Sequence, residues 1–277
     1  MAGLLAALVS APAMMAVAPQ AGATFPVIVV FDDRAPFENY AAAYAPDARM
    51  SANPEAWDYQ DRNVVGAVQA LEAAHRFSAT NVYSATIRGF AARLTTRQIA
   101  AMESHPMVRY VEADGVMAIV QGPPPGVGPG GGGDDGGQVI PWGIQRIGAT
   151  ESSTKAGDGE GSIGNVNAYI IDTGVDAGHR DLNVVNHVNF ASGPNRDCNG
   201  HGTHVAGTVA ARDNTVDVVG VAPGAPLTGV KVLGCGGTGT TSGVIQGVDW
   251  VTANAILPAT ANMSLGGGAS QALDDAV

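Results

Sequence analysis

The sequence predicts an α/β protein in two parts: a small βαββαβ plait, then strands and helices alternating as in a doubly wound parallel sheet. Three observations carry this. The order of apolar runs changes along the chain, a Gly/Pro stretch separates the two orders, and the strands of the second part are apolar throughout, as in sheets covered on both faces. At 277 residues there is room for two modest domains. Hydrophobic residues make up 45% and charged residues 14%, which excludes a disordered chain or a coiled coil. A formal charge of −11 leaves no basic stripe to neutralise phosphates, so a nucleic-acid partner is not expected.

The chain opens with "MAGLLAALVSAPAMMAVAPQAGAT", an apolar run ending in Ala21-Gly22-Ala23, and residues 1–23 read as a signal peptide. Two prolines interrupt it too much for a membrane span. Export makes a disulfide between Cys198 and Cys235 chemically reasonable; two buried thiols are the alternative.

"FPVIVVF" (25–31) is a β-rich strand, and "NVVGAVQALEAAHRF" (63–77) has apolar residues at helical spacing. "NVYSATIRGFAARL" (81–94) reads as two strands meeting near Gly89, "TTRQIAAMESH" (95–105) as a helix capped by threonine, and "VRYVEAD" (108–114) as a final strand. That order is a split βαβ plait of the ferredoxin-like kind, assigned to residues 25–120. "QGPPPGVGPGGGGDDGGQ" (121–138) has no side chains that could build a core; residues 121–137 form a linker, and the second part runs from 138 to 277.

In the second part "NVNAYIIDT" (165–173), "LTGVKVL" (227–233) and "ATANMSL" (259–265) are strands. "GTHVAGTVAAR" (202–212) and "SGVIQGVDWVTANAI" (242–256) are helices, the latter after a Ser/Thr cap. Ligands of such sheets sit beyond the carboxyl ends of the strands, where Asp172 and Ser264–Gly266 fall. The closing "GGGASQALDDAV" has the apolar stripe of a helix with nothing after it to pack on.

Candidate chemistry centres on "DCNGHGTHVAGT" (197–208), with His201 and His204 three positions apart. A helical zinc hydrolase needs histidines four apart around a Glu, so this spacing does not demand a metal; a metal hydrolase completed by His179 or Asp172 remains the competing reading. A general base fits better. His201 lies at the mouth of the helix between two glycines, and Asp172, a lone acid closing an apolar strand, can orient its ring.

"YIIDTGVDAGHRDL" (169–182) with "NGHGTHVAGTVA" (199–210) resembles the Asp and His blocks of the subtilase family of serine proteases. "VAPGAPLTGVKVL", "GVIQGVDWV" and "NMSLGGG" follow in the order of that family. "PWGIQRI" (141–147) resembles the start of the mature enzyme, and "GFAARLTTRQIAAMESHPMVRYVEAD" the end of the propeptide, an inhibitor and folding chaperone. "DCNGHGTH" and "KVLGCGG" resemble the proteinase K and aqualysin-like branch, in which these cysteines are linked.

The resemblance implies a ferredoxin-like propeptide ahead of the N-terminal half of a subtilisin-like sheet, in a secreted, monomeric endopeptidase precursor acting on protein and peptide substrates. It makes Asp172 the orienting acid, His201 the base, His204 a structural residue, and Ser264, Leu265 and Gly266 the strand that pairs with substrate. It implies a structural calcium held by Gln138, Asp181 and Asn214 with the carbonyls of Arg212, Val216 and Val218. The family's Gly-Thr-Ser-Met-Ala nucleophile block and oxyanion Asn have no counterpart here. "GTGTTSGV" offers Ser242, which reads as a helix cap, so the chain by itself is expected to be inactive. The competing role for residues 25–114 is inhibition of a mature subtilase.

Overall fold

The computed structural model describes residues 22–46, 54–119, 137–160 and 162–277. The expected signal peptide up to Ala21 and the expected linker up to Gly136 lie outside the described residues.

The first part contains β1 (Thr24–Phe31), α1 (Arg62–His75), β2 (Ala79–Tyr83), β3 (Gly89–Thr95), α2 (Thr96–Glu103) and β4 (Val108–Ala113). Its sheet order, β2-β3-β1-β4 with antiparallel neighbours, is that of the expected plait. Local chemistry sets the helix starts. Asp61 accepts from Asn63 N at α1, and Thr95 with Gln98 closes a capping box at α2. The unbroken apolar run of β1 follows from its two covered faces. Val27, Val29 and Phe31 pack under α1 and α2, while Ile28 and Val30 pack against Ile245, Ala272 and Ala276 of the second part. Each large side chain so buried contributes about 1.5–3 kcal/mol.

Between β1 and α1 two short 3-10 segments, Phe37–Ala43 and Pro54–Ala56, fill a connection that the sequence left without elements. The first lies so close on α1 that a Cβ at Gly66 would sit 2.2 Å from the carbonyl oxygen of Tyr40.

The second part contains α3 (Trp142–Arg146), β6 (Asn167–Asp172), β7 (Val184–Asn189), α4 (His201–Ala210), β8 (Leu227–Lys231), β9 (Thr238–Thr240), α5 (Thr241–Asn254), β10 (Ala259–Asn262), β11 (Leu265–Gly267) and α6 (Gln271–Ala276). A parallel sheet runs β10-β6-β8-β7. Alternation along β6 sends Ala168 and Ile170 toward α4, and Tyr169 and Ile171 toward α5, which is the doubly wound arrangement. No helix among the described residues is long and apolar enough to cross a membrane.

Four expectations change. "ATANMSL" is not one strand: β10 ends at Asn262, and Leu265–Gly267 turns into a second sheet, leaving Ser264 between them with its Oγ accepting from Asn262 Nδ2. The cap of α5 is Thr240, whose hydroxyl accepts from Gly243 N; Ser242 is inside the first turn. α6 does have something to pack on, because Ala272 and Ala276 bury against the first part and Glu112 accepts from Gln271 N and Ala272 N. Finally, the plait does not end the first part. β5 (Val116–Ile119) follows it and lies in a three-stranded sheet, β11-β5-β9, with both neighbours antiparallel.

Gly66→Ala exchanges a poor helix former for a good one, yet the Tyr40 carbonyl fills the space needed. We expect a net loss of about 1–3 kcal/mol in urea unfolding, whereas helix propensity alone would give a gain of about 1 kcal/mol.

Candidate active site

The carboxyl end of β6 carries Asp172, fully buried, and the first turn of α4 carries His201. His201 Nδ1 lies 2.8 Å from Oδ1 and 3.0 Å from Oδ2 of Asp172. A carboxylate only accepts, so Nδ1 carries the proton and the lone pair rests on Nε2, the nitrogen a general base needs free. Helix and strand meet this closely because residue 202 is glycine: a Cβ there would stand 2.1 Å from the Gly174 carbonyl oxygen and 3.2 Å from Asp172 Cβ.

Asp197 holds the entry to α4. Its Oδ1 accepts from Asn199 N, Gly200 N and Thr173 Oγ1, and its Oδ2 from Thr203 N and Thr203 Oγ1. Burial alone would raise its pKa, but these donors outweigh it, and the carboxyl lies below its ordinary value. Thr173, the residue after Asp172, receives Gly202 N on the same hydroxyl that bonds Asp197, so strand end and helix start share one network. A disulfide joins Cys198 to Cys235, tying the histidine loop to the turn before β9, and Asn199 Nδ2 adds a bond to Cys235 O.

Beneath the pair, Lys231 at the end of β8 is wholly buried and donates to Thr173 O at 2.6 Å and Leu233 O at 2.9 Å. Desolvation lowers its pKa, and the fields of Asp197 and Asp172 oppose that shift. His187 on β7 is fixed as the neutral tautomer: Val175 N donates to Nε2, and Nδ1 faces Asn195 Oδ1 at 2.6 Å. Burial lowers its pKa, against the bond to Asn195, and Lys231 lowers it further.

Of the other expected site residues, Leu265 and Gly266 pair with Ile119 and Ala118 of β5, so the anticipated substrate edge is occupied by the chain's own strand. Ile119 N also donates to Gly237 O on the opposite side. Neither serine considered is hydrogen-bonded to His201: Ser242 Oγ donates to Asp114 Oδ2, and Ser264 Oγ accepts from Asn262 Nδ2. His204 is exposed, beside a hollow of about 700 Å³ between α3 and α4 lined by Ile144, Ile147 and Gly207.

Among the described residues no three His, Cys, Asp or Glu side chains gather as a metal site. The expected calcium set does come together. Asp181 is buried, Asn214 Nδ2 bonds its Oδ1, Arg212 N bonds its carbonyl, and Gln138 Nε2 bonds Arg212 O. Val216 N bonds Asn214 Oδ1, and Val218 supplies a backbone bond to the Asp181 carboxylate. Burial raises the pKa of Asp181, against the hydrogen bond from Asn214, and the negative charge of Asp217 raises it further. The partners of the Asp181 carboxylate are N–H donors, Asn214 Nδ2 and the Val218 amide, so a hard cation fits when the amides of Asn214 and Gln138 turn their oxygens inward.

Asp197, Thr173 and Lys231 were missed from sequence. Asp197 heads an Asp-x-Asn-Gly run that signals an Asx turn, and Lys231 is a lone cation in an apolar strand, which is a sign of buried pairing.

The lowered pKa of His187 gives a signed expectation. The unfolded chain binds more protons than the folded one just below the ordinary imidazole value, so this contribution to stability is complete above about pH 6.5. It is lost as pH falls through the folded value. Urea unfolding between about pH 5 and pH 7.5 should show a shallower acid-side loss in His187→Gln than in the parent; parallel curves would count against it.

The Subtilase family profile matches residues 166–277 and the Peptidase inhibitor I9 profile matches residues 26–119. Alkaline serine exoprotease A of Vibrio alginolyticus is 37% identical over 271 residues, covering 93% of this chain and 47% of that protein. Extracellular serine proteinase of Thermus sp. (strain Rt41A) is 38% identical over 206 residues, covering 71% and 44%. Subtilisin DY of Bacillus licheniformis is 48% identical over 143 residues, covering 50% of each. The chain thus spans about half the length of the curated relatives it matches. It belongs to the subtilase family, with an inhibitor I9 domain ahead of its subtilase segment.

Proposed function

We propose that the chain is part of a secreted serine endopeptidase precursor, in which Asp172 orients His201 as general base for a serine hydroxyl and residues 25–119 are the inhibitory propeptide. The Asp172–His201 pair at the carboxyl end of a parallel sheet carries the proposal. His201 Nε2, freed by the bond on Nδ1, would take the hydroxyl proton during attack on the peptide carbonyl; Asp172 would then stabilise the imidazolium. β5 supports the inhibitory role: it lies where Leu265 and Gly266 would pair with a substrate strand. Similarity to an exoprotease and to an extracellular proteinase, together with the Cys198–Cys235 disulfide, supports secretion.

A peptidase assay of the purified chain against His201→Ala tests the assignment. No described residue supplies a hydroxyl to Nε2, so parent and variant should give the same background. Turnover abolished by His201→Ala would place a nucleophile within this sequence. The pairing itself is read separately: a strongly downfield Nδ1 proton resonance in the parent should vanish in Asp172→Ala, and its persistence there would remove the dyad.

Gln138, Asp181 and Asn214, with the carbonyls of Arg212, Val216 and Val218, would hold calcium as a structural tie. The ion would neutralise the buried Asp181 carboxylate and fasten the start of the peptidase segment to the loop after α4. Calcium at a hundredfold excess over its dissociation constant would add about 2.7 kcal/mol. Melting should therefore move upward with calcium in the parent and stay fixed in Asp181→Asn. A parent indifferent to calcium and chelator would eliminate the site.

A further inference from the structure

His187 stands on β7, at one edge of the parallel sheet, and its cross-strand neighbour on β8 is Gly229. A Cβ at Gly229 would sit 2.4 Å from His187 Cδ2, and one at Gly174 would sit 2.8 Å from His187 Nε2. Two glycines thus open the slot that the imidazole fills. Both ring nitrogens are engaged there. Asn195 Nδ2 donates to His187 O, which turns Asn195 Oδ1 toward the ring to accept from Nδ1. Nε2 is then the bare nitrogen, and it accepts from Val175 N at 3.0 Å.

The amide held in this way belongs to the turn that follows the buried acid. Thr173 N donates to Asp172 Oδ1 at 2.6 Å, the same oxygen that faces His201 Nδ1. Thr173 Oγ1 accepts from Gly202 N, and Asp176 N donates to Thr203 Oγ1. The turn Thr173–Asp176 is therefore fastened to the acid at its start and to the first turn of α4 beyond it. His187 supports it between those points.

The ring is half-buried on its edge strand, within reach of solvent protons. A proton on Nε2 would change an acceptor into a donor, so that two N–H groups face each other across the same gap. Val175 is fully buried, and its amide would be left without a partner. Three charges act on the ring: Lys231 on β8 opposes the proton, while Asp197 before α4 and Glu55 of the segment Pro54–Ala56 favour it. Burial outweighs the two acids, and the neutral ring persists to below the ordinary imidazole value.

We propose that His187 is a positioning residue for the Asp172–His201 pair: its neutral ring holds the turn Thr173–Asp176 in the place that sets Asp172 against His201, and proton uptake at Nε2 releases that turn and loosens the pair. The inference rests on reading Asp172 and His201 as the acid and base of the proposed peptidase. It makes the pair answer to a second imidazole, so that acid removes the geometry of the base as well as its lone pair.

The test is a titration of the isotope-labelled full chain, read by NMR from about pH 8 to about pH 4. The ring signals of His187 and His201 give each titration separately, and the Nδ1 proton of His201 reports the pair. In the parent, the amides of Val175, Thr173 and Gly202 should shift along the His187 curve, and the His201 Nδ1 resonance should be lost along it. In His187→Gln the side-chain oxygen can accept from Val175 N and does not titrate. There the three amides should lose that component, and the His201 resonance should persist to lower pH. Asn195→Ala removes the bond that favours the proton, so all these signals should move together to lower pH. That variant carries the test if His187→Gln does not fold. If Val175 follows His187 while Thr173, Gly202 and the His201 resonance do not, the positioning role is overturned and the acid–base reading stands. Retention of the His187 component in His187→Gln has the same meaning. If the His201 resonance survives in Asp172→Ala, both fall.

Discussion

The ladders on either side of Val116–Ile119 are the constraint around which the two units are arranged. This strand joins β9 on one edge and β11 on the other, strands that belong to the second part of the chain. A short three-stranded sheet holds only if all three members are present, because an unpaired middle leaves two rows of amides and carbonyls without partners. The plait is therefore held at one place on the subtilase segment, and its outer sheet face, with Ile28 and Val30, is set down on α5 and α6. The burial of those side chains and the register of the ladder are two results of one docking.

The acid–base pair is held by a different kind of constraint. Asp172 and His201 come from elements of opposite character, a strand end and a helix start, and neither fixes the other's distance alone. Thr173, Asp197 and the close approach at Gly202 do so, with Lys231 donating from below to the backbone that follows Asp172. Negative charge from Asp197 at the first turn of α4 also suits the positive end of that helix. The geometry of the Asp172–His201 pair is thus built from groups outside the pair itself.

Much of this was legible in the residues. The apolar runs "FPVIVVF" and "AYIID" marked buried strands, and the threonines that open "TTRQIAAMESH" marked a helix start, because local propensity and tertiary packing agree at those places. Asp172 and His201 were legible because the acid ends an apolar run and the histidine sits in a glycine-rich helix entry. β5 was not legible: four residues have no period of their own, and Val116–Ile119 is a strand only because β9 and β11 flank it. The same holds for β7, whose interleaved Asn186 and His187 mask an edge strand, and for Tyr59, whose partner lies 190 residues away. The reading of Ser242 as a cap failed for a local reason, since Thr240 two residues earlier already supplies the capping oxygen.

Glu112 and Asp114 stand two residues apart around the end of β4, and each serves a different helix of the neighbouring unit: Glu112 accepts the leading amides of α6, and Asp114 accepts Ser242 N of α5. Two helices that share no loop are thereby indexed to each other through a strand that neither contains. Withdrawing that strand returns these amides to water and uncouples the tilt of one helix from that of the other. A surface without Glu112 and Asp114 would hold its two helix starts with neither of these shared acceptors.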